Sequence, residues 1–226
     1  MSQILDITAS ADAAPWNEHP STNYGTLSYL YVGEWSGGDK GESFINFDLS
    51  SLPSRFRVSS AILKLFQYDS DNDWQIPNIS VAAELCGASW TETGITWNNK
   101  PANAVNTPQA LTTVKSINEG VNGTNEYQWN ITEHMIAVGL GLIPWNGLRL
   151  RYTGTSSETA KYFRSREYGT ASQRPRLYMI WDYPFGKVNV NGTWKNIERA
   201  LVNINGVWKD ISEMKVNVNN VWKNLV

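Results

Sequence analysis

Cysteine is nearly missing from this chain: Cys86 stands alone in 226 residues. A single thiol excludes an intramolecular disulfide and every cysteine-based zinc site. Its setting, "VAAELCGASW", is apolar, so a buried thiol is expected and not a nucleophile. Histidine is almost as scarce, with only His19 and His134. Neither falls in a nucleophile or metal motif, and no Gly-x-Ser-x-Gly, His-Glu-x-x-His or phosphate loop occurs. His19 reads as a loop residue and His134 as a helix-surface one. Excess positive charge is also lacking. Lys and Arg number 19 against 21 Asp and Glu, a net charge of −2, and no basic stripe marks a nucleic-acid partner. No apolar run is long enough to span a membrane. "MSQILDITAS" has neither the basic nor the apolar region of a signal peptide, so synthesis in the cytosol without export is expected.

What is present is aromatic and β-patterned. The chain carries 11 Trp and 10 Tyr, with 41% hydrophobic residues, enough for a proper core. In "SSAILKLFQYD" (59–69), Ala61, Leu63, Leu65 and Gln67 alternate with Ile62, Lys64 and Phe66. "GESFINFDLSSLP" (41–53) alternates Phe44, Asn46 and Asp48 against Ile45, Phe47 and Leu49. "NGLRLRY" (146–152) and "RPRLYMIWDY" (174–183) read as two more strands, and turn signals are dense between them. One segment differs: "ITEHMIAVGLG" (131–141) predicts a short helix with Thr132 as N-cap and Gly139 as stop. The expected fold is all-β, a two-sheet antiparallel jelly-roll sandwich over residues 1–183 with one short helix.

Residues 184–226 follow a different rule. "VNVNGTWKNI" (188–197), "VNINGVWKDI" (202–211) and "VNVNNVWKNL" (216–225) repeat every fourteen residues. Asn191-Gly192 and Asn205-Gly206 are type I′ hairpin signals, and Asn219-Asn220 tolerates the same backbone. With two-residue turns, Val188, Val190, Thr193 and Ile197 share one face and Asn189 and Trp194 the other. About forty residues rarely build their own core without metals, disulfides or association. The repeats hold no Cys or His, which leaves association. Val188, Val202, Val216, Trp194, Trp208 and Trp222 are the expected assembly residues.

"PSTNYGTLSYLYVG" (20–33), "FINFDLSSLP" (44–53), "VSSAILKLF" (58–66), "SWTETGITWNNKP" (89–101) and "FRSREYGTASQRPRLYMIW" (163–181) occur in the order seen in DNRLRE domains. Residues 1–183 thus resemble that family of jelly-roll modules, related to carbohydrate-binding modules, some of which bind acidic polysaccharides such as alginate. The resemblance implies the fold and names no sugar-contacting residue. It also sets Glu92 and Glu167 in blocks that look structural, where a carboxylate fixes a turn or an arginine, so catalysis is not expected. The tail repeats are similar to those closing minor virion proteins of tailed bacteriophages. Choline-binding repeats also centre on Gly and Trp, but Lys195-Asn196, Lys209-Asp210 and Lys223-Asn224 replace their second aromatic pair.

Trp16, Trp35 and Trp74 lie in turn-rich stretches and are the candidate glycan platforms. Arg164 and Arg166 alternate along "FRSRE" and either point at an acidic ligand or pair with Glu167, Glu158 or Asp182. Trp90 and Trp97 read as packing residues. "DSDND" places Asp69, Asp71 and Asp73 at calcium-loop spacing, but Trp74 and Ser80 stand where that loop needs Gly and Glu. No cofactor is expected, with calcium the one ion those residues would suit. Two function classes follow. One is a non-enzymatic structural protein of a tailed-phage virion: a capsid decoration, head fibre or tail appendage. It would be made in the host cytoplasm, assemble as a homo-oligomer (a trimer, by analogy with threefold fibres) with other virion proteins, and display a sandwich to host-surface glycans. The other is a polysaccharide-binding module of a bacterial surface or extracellular protein.

Overall fold

A computed structural model describes residues 2–224 except 36, 69–77, 105–106, 108, 116–123, 156–158, 184–186, 197–200, 205–206, 211–214 and 219–220. Asp69, Asp71, Asp73 and Trp74 therefore lie outside the described residues, as do the Asn205-Gly206 and Asn219-Asn220 turns and Ile197.

The fold is an all-β antiparallel sandwich, as the alternation implies. One sheet has the order β1-β12-β6-β9, from β1 (Gln3–Thr8), β12 (Arg176–Asp182), β6 (Arg57–Phe66) and β9 (Glu126–Asn130). The other runs β2-β5-β10-β7-β8, from β2 (Ala11–Ala13), β5 (Ser43–Asn46), β10 (Leu148–Tyr152), β7 (Ile79–Leu85) and β8 (Ala110–Val114). Each strand sends alternate residues inward. Ala61, Leu63 and Leu65 of β6, Leu177 and Met179 of β12, and Leu148 and Leu150 of β10 are fully buried in one cluster. Trp129 joins them, also fully buried, and its indole N–H donates to the Val81 carbonyl at 2.9 Å. That bond removes the cost of burying its one polar atom.

Strand β5 is buried on both faces. Ile45 and Phe47 join the main core, while Phe44 packs in a second cluster with Ala13, Cys86, Ile95 and the half-buried Trp90. The segment after β7 folds over the outer side of this sheet to make that cluster. Cys86 is buried within it, and burial pushes its thiol up to about 12.

The helix α1 (Thr132–Gly139) forms where the pattern placed it, but Thr132 does not cap it. Ile131 is the N-cap and no side chain caps the end. The Thr132 hydroxyl instead accepts from the Ala61 N–H at 3.0 Å, tying the helix start to β6. His134 is 1% exposed and not at the surface. The helix rests on β6, and at this point in the turn the side chain faces the sandwich.

A third sheet has the order β11-β3-β4, from β11 (Lys161–Arg164), β3 (Tyr29–Glu34) and β4 (Lys40–Gly41). Leu30, Val32 and Phe163 point into the core. The alternate residues of β3 and β11 form the opposite face, which carries the candidate site.

Beyond Tyr183 the chain forms three two-stranded sheets: β13 (Lys187–Val190) with β14 (Thr193–Asn196), β15 (Leu201–Ile204) with β16 (Val207–Asp210), and β17 (Lys215–Val218) with β18 (Val221–Asn224). Asn191 and Gly192 connect the first pair with φ of 52° and 84°. Positive φ at both central positions is what a type I′ turn requires. The registers match throughout: Asn189 faces Trp194, Asn203 faces Trp208 and Asn217 faces Trp222, with Val188, Val202 and Val216 opposite Lys195, Lys209 and Lys223.

Candidate functional site

Tyr29 and Tyr31 share the outer face of β3, and the register of β11 sets Tyr162 beside Tyr31 and Arg164 beside Tyr29. Tyr68 reaches the same surface because its N–H donates to the Tyr162 carbonyl at 2.7 Å. On the other side, Trp16 bridges to Gly41 of β4, and Trp35 follows β3 directly. The result is a connected aromatic surface. Tyr68 lies parallel to Tyr29 with centroids 6.0 Å apart, Tyr29 meets Tyr162 at 5.8 Å, and Tyr162 meets Trp35 at 6.3 Å. Trp35 meets Trp16 at 5.4 Å, and Trp16 meets the edge of His19 at 5.1 Å.

Tyr31 lies beneath these rings, 4% exposed, and touches Trp16, Tyr24, Tyr29, Trp35 and Tyr162. Burial, and then its phenolic neighbours, raise its hydroxyl far above the usual tyrosine range. The Tyr31 hydroxyl and the Trp16 indole N–H have no hydrogen-bond partner, which is unusual for buried polar atoms. The Trp35 indole does have one, donating to Tyr162 Oη at 3.0 Å. Gly41 forms the floor: a Cβ there would stand 2.3 Å from Tyr31 Cδ2 and 2.9 Å from Trp35 Cη2.

Of the sequence-nominated residues, the structure brings Trp16 and Trp35 together in this surface. Arg164 borders it beside Tyr29, with its guanidinium 4.1 Å from the Tyr168 ring centre and a hydrogen bond to Gln173 Oε1. Arg166 is turned away, into a cluster of acids. Its Nη1 sits 2.9 Å from Glu92 Oε2 and 2.9 Å from Glu167 Oε1, and its backbone N–H donates to Asp12 Oδ2 at 2.7 Å. It thus adopts the pairing with Glu167. Asp12 is 1% exposed, and its own N–H donates to Glu92 Oε1 at 2.9 Å. Burial pushes the Asp12 carboxyl up to about 8; the Arg166 N–H opposes this, and the charges of Glu167 and Glu92 add to it.

Asp12, Glu92 and Glu167 offer oxygens within 4.8 Å of one another, the hard ligand set that calcium takes. The Arg166 guanidinium already lies among them as a cation, so the geometry serves equally to pin three segments of the fold. Glu92 and Glu167 share that guanidinium, the role a structural carboxylate plays.

A second ionic group covers the outside of β10. Arg149 holds Glu42 with two bonds of 2.8 and 2.5 Å, Lys100 adds a third at 2.7 Å, and Arg151 holds Glu84 at 2.9 Å. Lys100 also sits 3.9 Å above the Trp97 ring centre. Burial pushes Glu84 up, but Arg151, Gln109 and Arg149 outweigh it and hold the carboxyl below its usual range.

The model of carbohydrate-binding module family 96 matches residues 3–179. The chain belongs to that family. Family 96 membership covers every strand of the sandwich apart from the last three residues of β12, and the aromatic surface and the acidic cluster lie wholly inside the match. No curated protein matches the chain. The expectation of a carbohydrate-binding-related sandwich is met at the level of the family. Sequence reasoning found two of the aromatic rings and missed Tyr24, Tyr29, Tyr31, Tyr68 and Tyr162. The available signal was "YLYV" (29–32), where tyrosines alternate with residues bound for the core.

Proposed function

We propose that this protein is a non-catalytic polysaccharide binder, and that the aromatic surface over β3 and β11 receives the sugar. The observation that carries the reading is the continuity of that surface. Half-exposed Trp16, Trp35, Tyr29 and Tyr162 offer apolar ring faces to the C–H faces of pyranoses, with Arg164 and the Lys40–Glu34 pair available for hydroxyl or carboxylate groups. Affinity electrophoresis of the full chain through gels containing alginate, pectate, hyaluronan, xylan, mannan or hydroxyethylcellulose tests it. Retardation by at least one polymer is expected, and Trp35→Ala should weaken that affinity about tenfold, the ~1.4 kcal/mol scale of a lost aromatic anchor. Unretarded migration in all six gels would reject the reading.

The tail supports an additional role. Three separate hairpins of four-residue strands are too small to be stable alone, and they hold neither metal ligands nor disulfides. We read residues 184–226 as an assembly segment distinct from the sandwich over 1–183, completed by the same segment in other copies of the chain. A homo-oligomer carrying outward-facing sandwiches suits a tailed-phage virion that meets host-surface glycan.

A further inference from the structure

Six rings lie on one unbroken path across the third sheet: Tyr68, Tyr29, Tyr162, Trp35, Trp16 and His19. Neighbouring centroids are between 5.1 and 6.3 Å apart. Each step is comparable to the length of one pyranose unit along a polysaccharide. Both terminal rings are exposed, Tyr68 at 36%. The path therefore begins and ends in solvent.

The rings are also held in place before any ligand arrives. The Trp35 indole is fixed by Tyr162 Oη, and Tyr31 supports both from below through edge-on contacts. Lys40 stands at the rim, where its N–H donates to Asn17 Oδ1 and its ammonium is 3.5 Å from Glu34 Oε2. A preorganised surface loses little entropy on binding. Each ring contributes a small increment, so affinity must accumulate over several units. A single sugar would cover one or two rings and leave the rest wet.

We propose that this path grips the interior of an unbranched polysaccharide, several consecutive pyranose units at once, and recognises neither a chain end nor a free monosaccharide. The inference rests on the polysaccharide-binding reading above and specifies what the site selects. Two features set that selection: the number of rings, and the open ends formed by Tyr68 and His19.

The test is calorimetric titration of the full chain with oligosaccharides, from monosaccharide to octasaccharide, cut from each of the six polymers named above. Affinity is expected to be undetectable for the monosaccharide, to rise with each added unit, and to level off near the number of rings in the path. Reducing the terminal aldehyde of the octasaccharide to an alditol should leave its affinity unchanged. Tyr68→Ala and His19→Ala, at exposed positions where folding is not at stake, should each lower octasaccharide affinity several-fold and leave trisaccharide affinity as it was. Trp35→Ala should lower affinity at every length, and Trp35→Phe should restore part of it. Equal affinity for a disaccharide and an octasaccharide overturns the inference, as does loss of binding on end reduction or a length profile unmoved by Tyr68→Ala. Each of these leaves polysaccharide binding standing. Failure of every oligosaccharide and every polymer to bind removes that reading and this inference together.

Discussion

Asp12 shows how far one residue's setting can depart from its chemistry in water. Its carboxyl is 1% exposed and faces Glu92 and Glu167, with Arg166 the cation against it. Burial raises its pKa from the model value 3.8 to about 8. The folded protein therefore holds a proton between those two values that the unfolded chain has released, and stability must fall as pH rises through that window. The slope is at most about 1.4 kcal/mol per pH unit. Glu84 has the opposite sign: its carboxyl is lowered, so its contribution is present above its unfolded pKa and is lost as pH falls through the folded value. Together they place the stability maximum on the acidic side of neutrality. Thermal unfolding followed by circular dichroism should show a lower midpoint at about pH 8 than at about pH 5. Asp12→Asn, which keeps an acceptor for the Arg166 N–H, should flatten that difference. An unchanged pH slope in Asp12→Asn would assign it to other groups.

At the level of elements, Gly41 decides whether the aromatic surface can close. Strand β4 passes under Tyr31 and Trp35 with no room for a Cβ. Gly41→Ala should force both rings outward, cost about 1–3 kcal/mol as overpacking does, and weaken polysaccharide binding more than the loss of stability explains, read by melting temperature alongside affinity. Such crowding is invisible in the sequence, where Gly41 is one more glycine in "SGGDKG". The strands themselves were legible: period-two alternation located β6 and β12, and the inward set Ala61, Leu63 and Leu65 came out as read. Strand β5 was located too, but one-sided burial fails there, because the segment after β7 covers its outer face and buries Phe44. His134 was misjudged because one turn of helix carries too little periodicity to say which side meets a sheet. The binding surface was half legible. Trp16 and Trp35 announced themselves as tryptophans in turns, whereas Tyr29 and Tyr162 became neighbours only through a strand register between positions 133 apart. The acid cluster is likewise assembled from Asp12, Glu92 and Arg166 by pairings across 74 to 154 residues, beyond the reach of any local pattern.

For the whole molecule, the two kinds of β structure ask for different completions. The sandwich encloses its own core, with both large sheets contributing to one cluster. The hairpins do not form such a core: each is its own two-stranded sheet with four-residue strands. A repeated register in which a tryptophan always faces an asparagine offers each copy the same surface, and identical surfaces favour symmetric association. Light scattering of the full chain against a truncation ending at Tyr183 separates the alternatives. A defined oligomer for the full chain and a folded monomer for the truncation are expected, and Trp208→Ala should weaken the oligomer while leaving the melting of the sandwich unchanged. The oligomer would also raise polysaccharide avidity without any new contact, because several sandwiches would act on one polymer. The truncation should then bind octasaccharide as well as the full chain does and bind the polymer more weakly. If both proteins are monomers, the hairpins pack within their own chain, and polymer affinity should not depend on the tail.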